Sequence, residues 1–102
     1  MARDPAVSVL VAVHNGAPHL RPALDSILRQ TVSDLELVVV DDGSTDETPA
    51  VLESVGDRRL RVVRSDRQRG LAGALNLGLD EARGRRVARM DADDVAFPHW
   101  LA

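Results

Sequence analysis

The sequence predicts an α/β fold, a mostly parallel four-stranded sheet flanked by helices. Four short, largely apolar segments carry this reading, at residues 7–13, 35–40, 60–63 and 87–90. Stretches with helical spacing of apolar residues separate them. The connections are short, so each strand returns to the same sheet through a right-handed crossover. The 102 residues, 44% of them hydrophobic, suffice for one small domain with its own core and are too few for two.

The first strand, 7–13, is nearly all apolar and β-branched, as suits a strand buried on both faces. Asn15-Gly16 breaks it. Pro18 suits the first turn of the helix that follows, and Pro22 is tolerated near that start. Leu20, Leu24, Ile27 and Leu28 recur on one face, with Arg21, Asp25 and Arg29 between them. The second strand, 35–40, runs directly into Asp41-Asp42-Gly43. Ser44 with Glu47 fits a capping box, with Asp46 as a rival cap that would place Pro49 within the first turn. The helix carries Val51, Leu52 and Val55 inward and ends near Gly56. A third strand, 60–63, leads to a polar loop, 64–70. Leu71, Leu75, Leu79 and Ala82 then form a helical stripe, closed by Gly84. The fourth strand, 87–90, delivers Asp91-Ala92-Asp93-Asp94. No repeat or low-complexity tract interrupts the pattern.

Composition narrows the function. Every one of the 13 basic residues is Arg, and Asp outnumbers Glu by 12 to 4. Asp is a poor helix-interior residue but a good cap, turn former and metal ligand, so the loops hold the chemistry. The net charge of -3 argues against a broad nucleic-acid-binding face. No apolar run of about 18 residues occurs, so no membrane span is expected. The N-terminus lacks a long apolar stretch ending in a cleavage site, so no secretory leader is expected. With no cysteine, disulfides and thiolate metal sites are excluded.

In an open parallel sheet, ligands bind outside the carboxyl ends of the strands. His14-Asn15-Gly16, Asp41-Asp42, the Arg-rich loop and Asp91 to Asp94 all fall at that edge. Carboxylates converging beside Arg side chains suit a divalent cation with a polyphosphate, because the two anions repel unless a hard cation lies between them. Asp-x-Asp at a strand end would put Asp91 and Asp93 on one side and Ala92 on the other. Taken alone, that triplet is also what many solvated turns contain. Asp41-Asp42 alone reads equally as a turn and cap, or as an acceptor for a base N–H such as that of uracil. His14 and the lone Trp100 read first as packing residues, and Arg67 and Arg69 as solvated or phosphate-binding. Gly70 and Gly73 read as a turn and a close helix–sheet contact.

Five blocks together resemble family 2 glycosyltransferases of the GT-A fold: 7–15 (VSVLVAVHN), 24–31 (LDSILRQT), 40–46 (VDDGSTD), 69–76 (RGLAGALN) and 90–94 (MDADD). The resemblance runs from Val7 to Leu101. It implies the Rossmann-like, three-layer nucleotide-binding half of that fold, a nucleotide-diphosphate sugar as donor, UDP-sugar first, a Mn2+ or Mg2+ ion, and inversion at the anomeric carbon. By motif, Val13, His14 and Asn15 would line the nucleotide pocket, and Asp41 or Asp42 would hold the base. Arg69 would touch the nucleotide, Asp91 would face ribose or metal, and Asp93 would coordinate the metal. The family often has Tyr where this chain has His14.

On this reading residues 1–102 form a single, truncated donor-binding domain. The acceptor half and its general base are expected beyond Ala102, so the catalytic base and the glycan, lipid or protein acceptor are unassigned. Exposed Phe97, Trp100 and Leu101 would then favour self-association. The cytoplasm, at the inner membrane face, is the expected compartment of the parent enzyme. One alternative is a nucleotide-binding fragment without catalysis. Another is a haloacid-dehalogenase-like phosphatase, whose Asp-x-Asp-x-Val motif 91–95 mimics. A phosphatase of that kind, and a signalling receiver, both need a lysine this chain lacks.

Overall fold

The computed structural model describes residues 4–101. Seven elements alternate: β1 (Val7–Val13), α1 (Ala17–Leu28), β2 (Leu35–Asp42), α2 (Thr48–Glu53), β3 (Leu60–Ser65), α3 (Leu71–Glu81) and β4 (Arg86–Arg89). The four strands form one sheet in the order β3-β2-β1-β4, and every pairing is parallel. The strand order reverses between β1 and β4. β1 pairs with β2 from Val7↔Leu35 to Val13↔Asp41, so Asp41 and Asp42 still belong to the strand.

Strand alternation sorts the core into two layers. On one face Val9, Val11, Leu37 and Val39 pack with Leu20, Ala23, Leu24 and Ile27 of α1 and Leu52 of α2, all essentially buried. On the other face α3 lies over β1 and β2. The leucine stripe of α3 is not its contact face. Leu71 and Leu79 are about half exposed, whereas Ala74 and Gly78 are the buried residues of α3. A side chain at Gly78 would come within 3.2 Å of Val40 and 3.3 Å of Leu10. Small residues therefore set the close approach of helix to sheet, and the leucines flank the contact. Gly73, expected to make that contact, instead sits against Arg69 of its own chain segment.

The capping box is also overturned. Ser44 does not cap α2. The N-cap position is Glu47, without a side-chain cap bond; Asp46, one residue earlier, accepts the Thr48 N–H at 2.9 Å and its hydroxyl at 2.6 Å, and Pro49 falls in the first turn. These bonds hold the Asp46 carboxyl below the usual carboxylate range, the Thr48 hydroxyl contributing most.

At the amino end of the sheet, Glu36 is buried among polar partners. It accepts from the Ser8 hydroxyl (2.5 Å), the Arg83 N–H (2.5 Å) and Arg61 (3.1 Å). The Ser8 hydroxyl in turn accepts the Gly84 N–H at 2.7 Å. Gly84 leaves no room for a Cβ beside Ser8. The network fixes the chain between α3 and β4, and with it the height at which β4 emerges. No helix among the described residues is long and apolar enough to cross a membrane.

Candidate nucleotide-binding edge

The candidate residues lie along the carboxyl edge of the sheet, and those after β1 and β4 meet where the strand order reverses. A hollow of about 300 Å3 opens there, lined by Ala12, Val13, His14, Gly16, His19, Ala92 and Asp93. This is the crevice in which open α/β sheets bind ligands. A second hollow, of about 130 Å3, lies between the end of β1 and the start of α3, lined by Ala12, Val13, His14, Asp42, Gln68, Gly70, Leu71 and Ala74. Val13 and His14 border both. A larger hollow, about 450 Å3, lies at the opposite end of the sheet between Val7 and Arg86, away from the candidate nucleotide and metal residues.

The loop after β2 turns on Gly43, whose φ of +69° suits glycine. A Cβ there would strike the main chain of Arg67 and Gln68 at 2.8 and 2.7 Å. The loops after β2 and β3 are thus in direct backbone contact. Asp42 welds them together: its two oxygens accept the N–H groups of Arg69 (2.8 Å) and Gly70 (3.0 Å). Each oxygen keeps a second acceptor position for a ligand. Asp41 is buried too, but its carboxylate accepts the Ser44 N–H at 3.1 Å and faces Arg64 at 3.7 Å. Of the acidic pair, Asp42 lines the smaller hollow.

Arg69 donates its Nε to Ser65 at 3.0 Å. Its terminal guanidinium nitrogens make no ion pair among the described residues and are free for an anion. His14 bonds through Nδ1 to the carbonyl of Asp42 at 2.7 Å. Asn15 turns its side chain away from both hollows, onto the loop at 44–46.

Asp91, Asp93 and Asp94 are exposed, and one ligand oxygen from each lies within 4.8 Å of the others. The donor set is all carboxylate, which fits a hard cation such as Mg2+ or Mn2+. The strand-alternation argument for Asp91 and Asp93 fails in detail. β4 ends at Arg89, and residues 91–94 form a turn closed by the Asp94 N–H on the Asp91 carbonyl at 3.1 Å. Ala92 and Asp93 face His14, while Asp91 and Asp94 face Arg89 and Trp100. The turn still gathers the carboxylates and adds Asp94. Sequence reasoning also passed over His19 and Gln68. His19 had a positional signal only, five residues after His14 in the first turn of α1.

A three-layer α/β sheet with ligand loops at its switch point defines a nucleotide-binding type of domain. The comparisons make it specific. The family described as glycosyl transferase family 2 matches residues 8–102, and the chain belongs to that family. It is 44% identical over 97 residues to the succinoglycan biosynthesis protein ExoO of Rhizobium meliloti, covering 95% of this chain and 28% of that one. A glycosyltransferase of Haemophilus influenzae is 39% identical over 103 residues, 99% of this chain and 32% of that one. Among solved structures, a mannosyltransferase from Pyrobaculum calidifontis in complex with GDP-Man and Mn2+ superposes with a TM-score of 0.83 at 38% identity, over 98% of this chain and 32% of that one. S. aureus TarS 1-349 in complex with UDP gives 0.87 at 30% identity, over 93% and 29%. The chain spans about a third of the length of these relatives.

Proposed function

We propose that this chain is the donor half of a sugar transferase. It would bind a nucleotide-diphosphate sugar, UDP-sugar first, across the carboxyl edge of the sheet, for inverting transfer to a glycan, lipid or protein acceptor. The observation that carries the reading is the hollow between β1 and β4, walled by Val13 and His14 on one side and Asp93 on the other. Two neighbouring structures bind related ligands at 30% identity or more, GDP-Man with Mn2+ in one and UDP in the other.

In this reading the nucleoside lies against Val13 and His14, with Asp42 accepting a base N–H. Arg69 offers its free guanidinium to the diphosphate, a geometry that guanidinium suits better than ammonium. Asp91 and Asp93, with Asp94, would hold a divalent cation. When bound, such an ion supplies positive charge to a departing diphosphate. No residue of this chain is assigned as the base that activates the acceptor.

Calorimetric titration of UDP and of GDP, each with Mn2+ and with chelator, tests the reading. Cation-dependent binding by the native chain, lost in Asp91→Asn/Asp93→Asn, is expected. A folded chain that binds neither nucleotide would overturn it.

A further inference from the structure

Asn15 is the one non-glycine residue with positive φ among the described residues, at 53°. L side chains adopt this region rarely, Asn more readily than most. Its side-chain oxygen accepts two main-chain N–H groups, from Thr45 at 2.8 Å and Asp46 at 3.2 Å. Its own N–H donates to the Ser44 hydroxyl at 2.9 Å. Main-chain N–H groups can only donate, so the amide is oriented without ambiguity and Nδ2 points the other way. There it meets Nε2 of His14 at 3.3 Å.

The same logic fixes the ring. The Asp42 carbonyl at 2.7 Å from Nδ1 can only accept, so Nδ1 carries the proton. Nε2 faces an amide donor and must accept. The ring is therefore neutral and held in the Nδ1–H form, the tautomer that free imidazole disfavours. Of the carboxylates nearby, Asp42 accepts the Arg69 and Gly70 amides, and Asp46 accepts the Thr48 amide and hydroxyl. Asp93 and His19 face the ring across the larger hollow.

We propose that Asn15 is a positioning residue: its amide locks His14 as a neutral Nδ1–H imidazole, so that His14 walls the two hollows and moves no proton. The wall's use to a nucleotide rests on the donor-binding reading above, but the lock does not. Asn15 pins the 44–46 loop to the exit of β1 through one face of the amide and sets the ring through the other. Asn15 thus acts through His14 and the loop, without touching ligand.

Nitrogen-15 spectroscopy of the nucleotide-free chain reads the tautomer directly. His14 is assigned by loss of its signals in His14→Gln, against His19 and His99. At mildly alkaline pH the native chain is expected to show a protonated Nδ1 and a hydrogen-bonded, unprotonated Nε2. In Asn15→Asp an acceptor replaces the amide donor, and the ring takes a second proton at the same pH. In Asn15→Gly, which adopts the backbone conformation freely, the Nε2 resonance moves to the position of an unbonded acceptor. An Nε2–H pattern in the native chain, or unchanged His14 signals in both variants, would overturn the proposal. Neither outcome depends on whether UDP or GDP binds.

Discussion

The carboxylate of Asp42, at the last position of β2, accepts the main-chain N–H of Gly70 at 3.0 Å, and Gly70 is the residue from which α3 starts. Gly70 has no side chain to cap its own helix and adopts a φ of +85°. A buried carboxylate 28 positions earlier fixes the entry to the helix by accepting the N–H of Gly70 and that of Arg69. Asp42→Ala leaves two amides without partners. A loss of about 1–3 kcal/mol is expected from the cost of an unsatisfied buried donor, measured by urea denaturation. Asp42→Asn keeps one acceptor oxygen and should lose less. Equal losses for the two variants would refute the anchoring of residues 69 and 70 by Asp42.

Glu36 gives the fold a pH dependence with a definite sign. Burial disfavours its charge most, but the Arg83 amide, the Ser8 hydroxyl and the Arg61 guanidinium together outweigh burial, and its pKa lies below 4.5. The unfolded chain therefore binds a proton at Glu36 more readily than the folded one. The stabilisation is complete above the unfolded value and is lost as pH falls through the lower, folded value. Glu36→Gln should flatten that acid limb and lower stability near neutrality by about 1–3 kcal/mol, through the weakened partners of a charged hydrogen-bond acceptor. An acid limb as steep in Glu36→Gln as in the native chain would assign the effect to other carboxylates.

The strands were legible because each run is short, rich in apolar residues and ended by a polar turn. The order of α/β alternation then left few topologies open. What misled was α3. Leu71, Leu75 and Leu79 repeat every four residues and look like a core stripe. A helix lying close over β1 and β2 instead needs Ala74 and Gly78 inward, and composition cannot say which stripe wins. The acidic turn was legible as a cluster, but not its geometry, because β4 stops at Arg89 and alternation ceases there. Asn15 was visible as a motif position. Its partners at 44–46 are set only by the fold. The correction for α3 is itself testable: Leu79→Gln is expected to change stability by less than about 0.5 kcal/mol, as an exposed site should.

Arg89 donates to Asp91 at 3.2 Å, with both side chains about half exposed. A cation bound at 91–94 must share Asp91 with this guanidinium or displace it. Exposed ion pairs contribute about 0–1 kcal/mol, so Arg89→Gln should tighten Mn2+ binding by about two- to fivefold. Binding of Mn2+ alone, followed calorimetrically, reads the change without nucleotide. Unchanged or weaker binding in the variant would mean that Arg89 orders the acidic turn more than it competes for it.

Gly43 offers the sharpest link between backbone geometry and binding. Its φ of +69° penalises any side chain, and a Cβ would lie 2.7 Å from the Gln68 nitrogen and 2.8 Å from the Arg67 carbonyl carbon. Both obstacles are main chain, so neither can swing aside as a rotamer would. Gly43→Ala must push the loop after β3 away from the loop after β2. That loop contributes Gln68 and Gly70 to the smaller hollow and carries the free guanidinium of Arg69. The strain should cost about 1–3 kcal/mol of stability and, on the donor-binding reading, weaken nucleotide by about tenfold or more, since a misplaced contact forfeits roughly 1.4 kcal/mol per decade. A Gly43→Ala chain with native stability and native nucleotide affinity would show that the two loops are not in backbone contact.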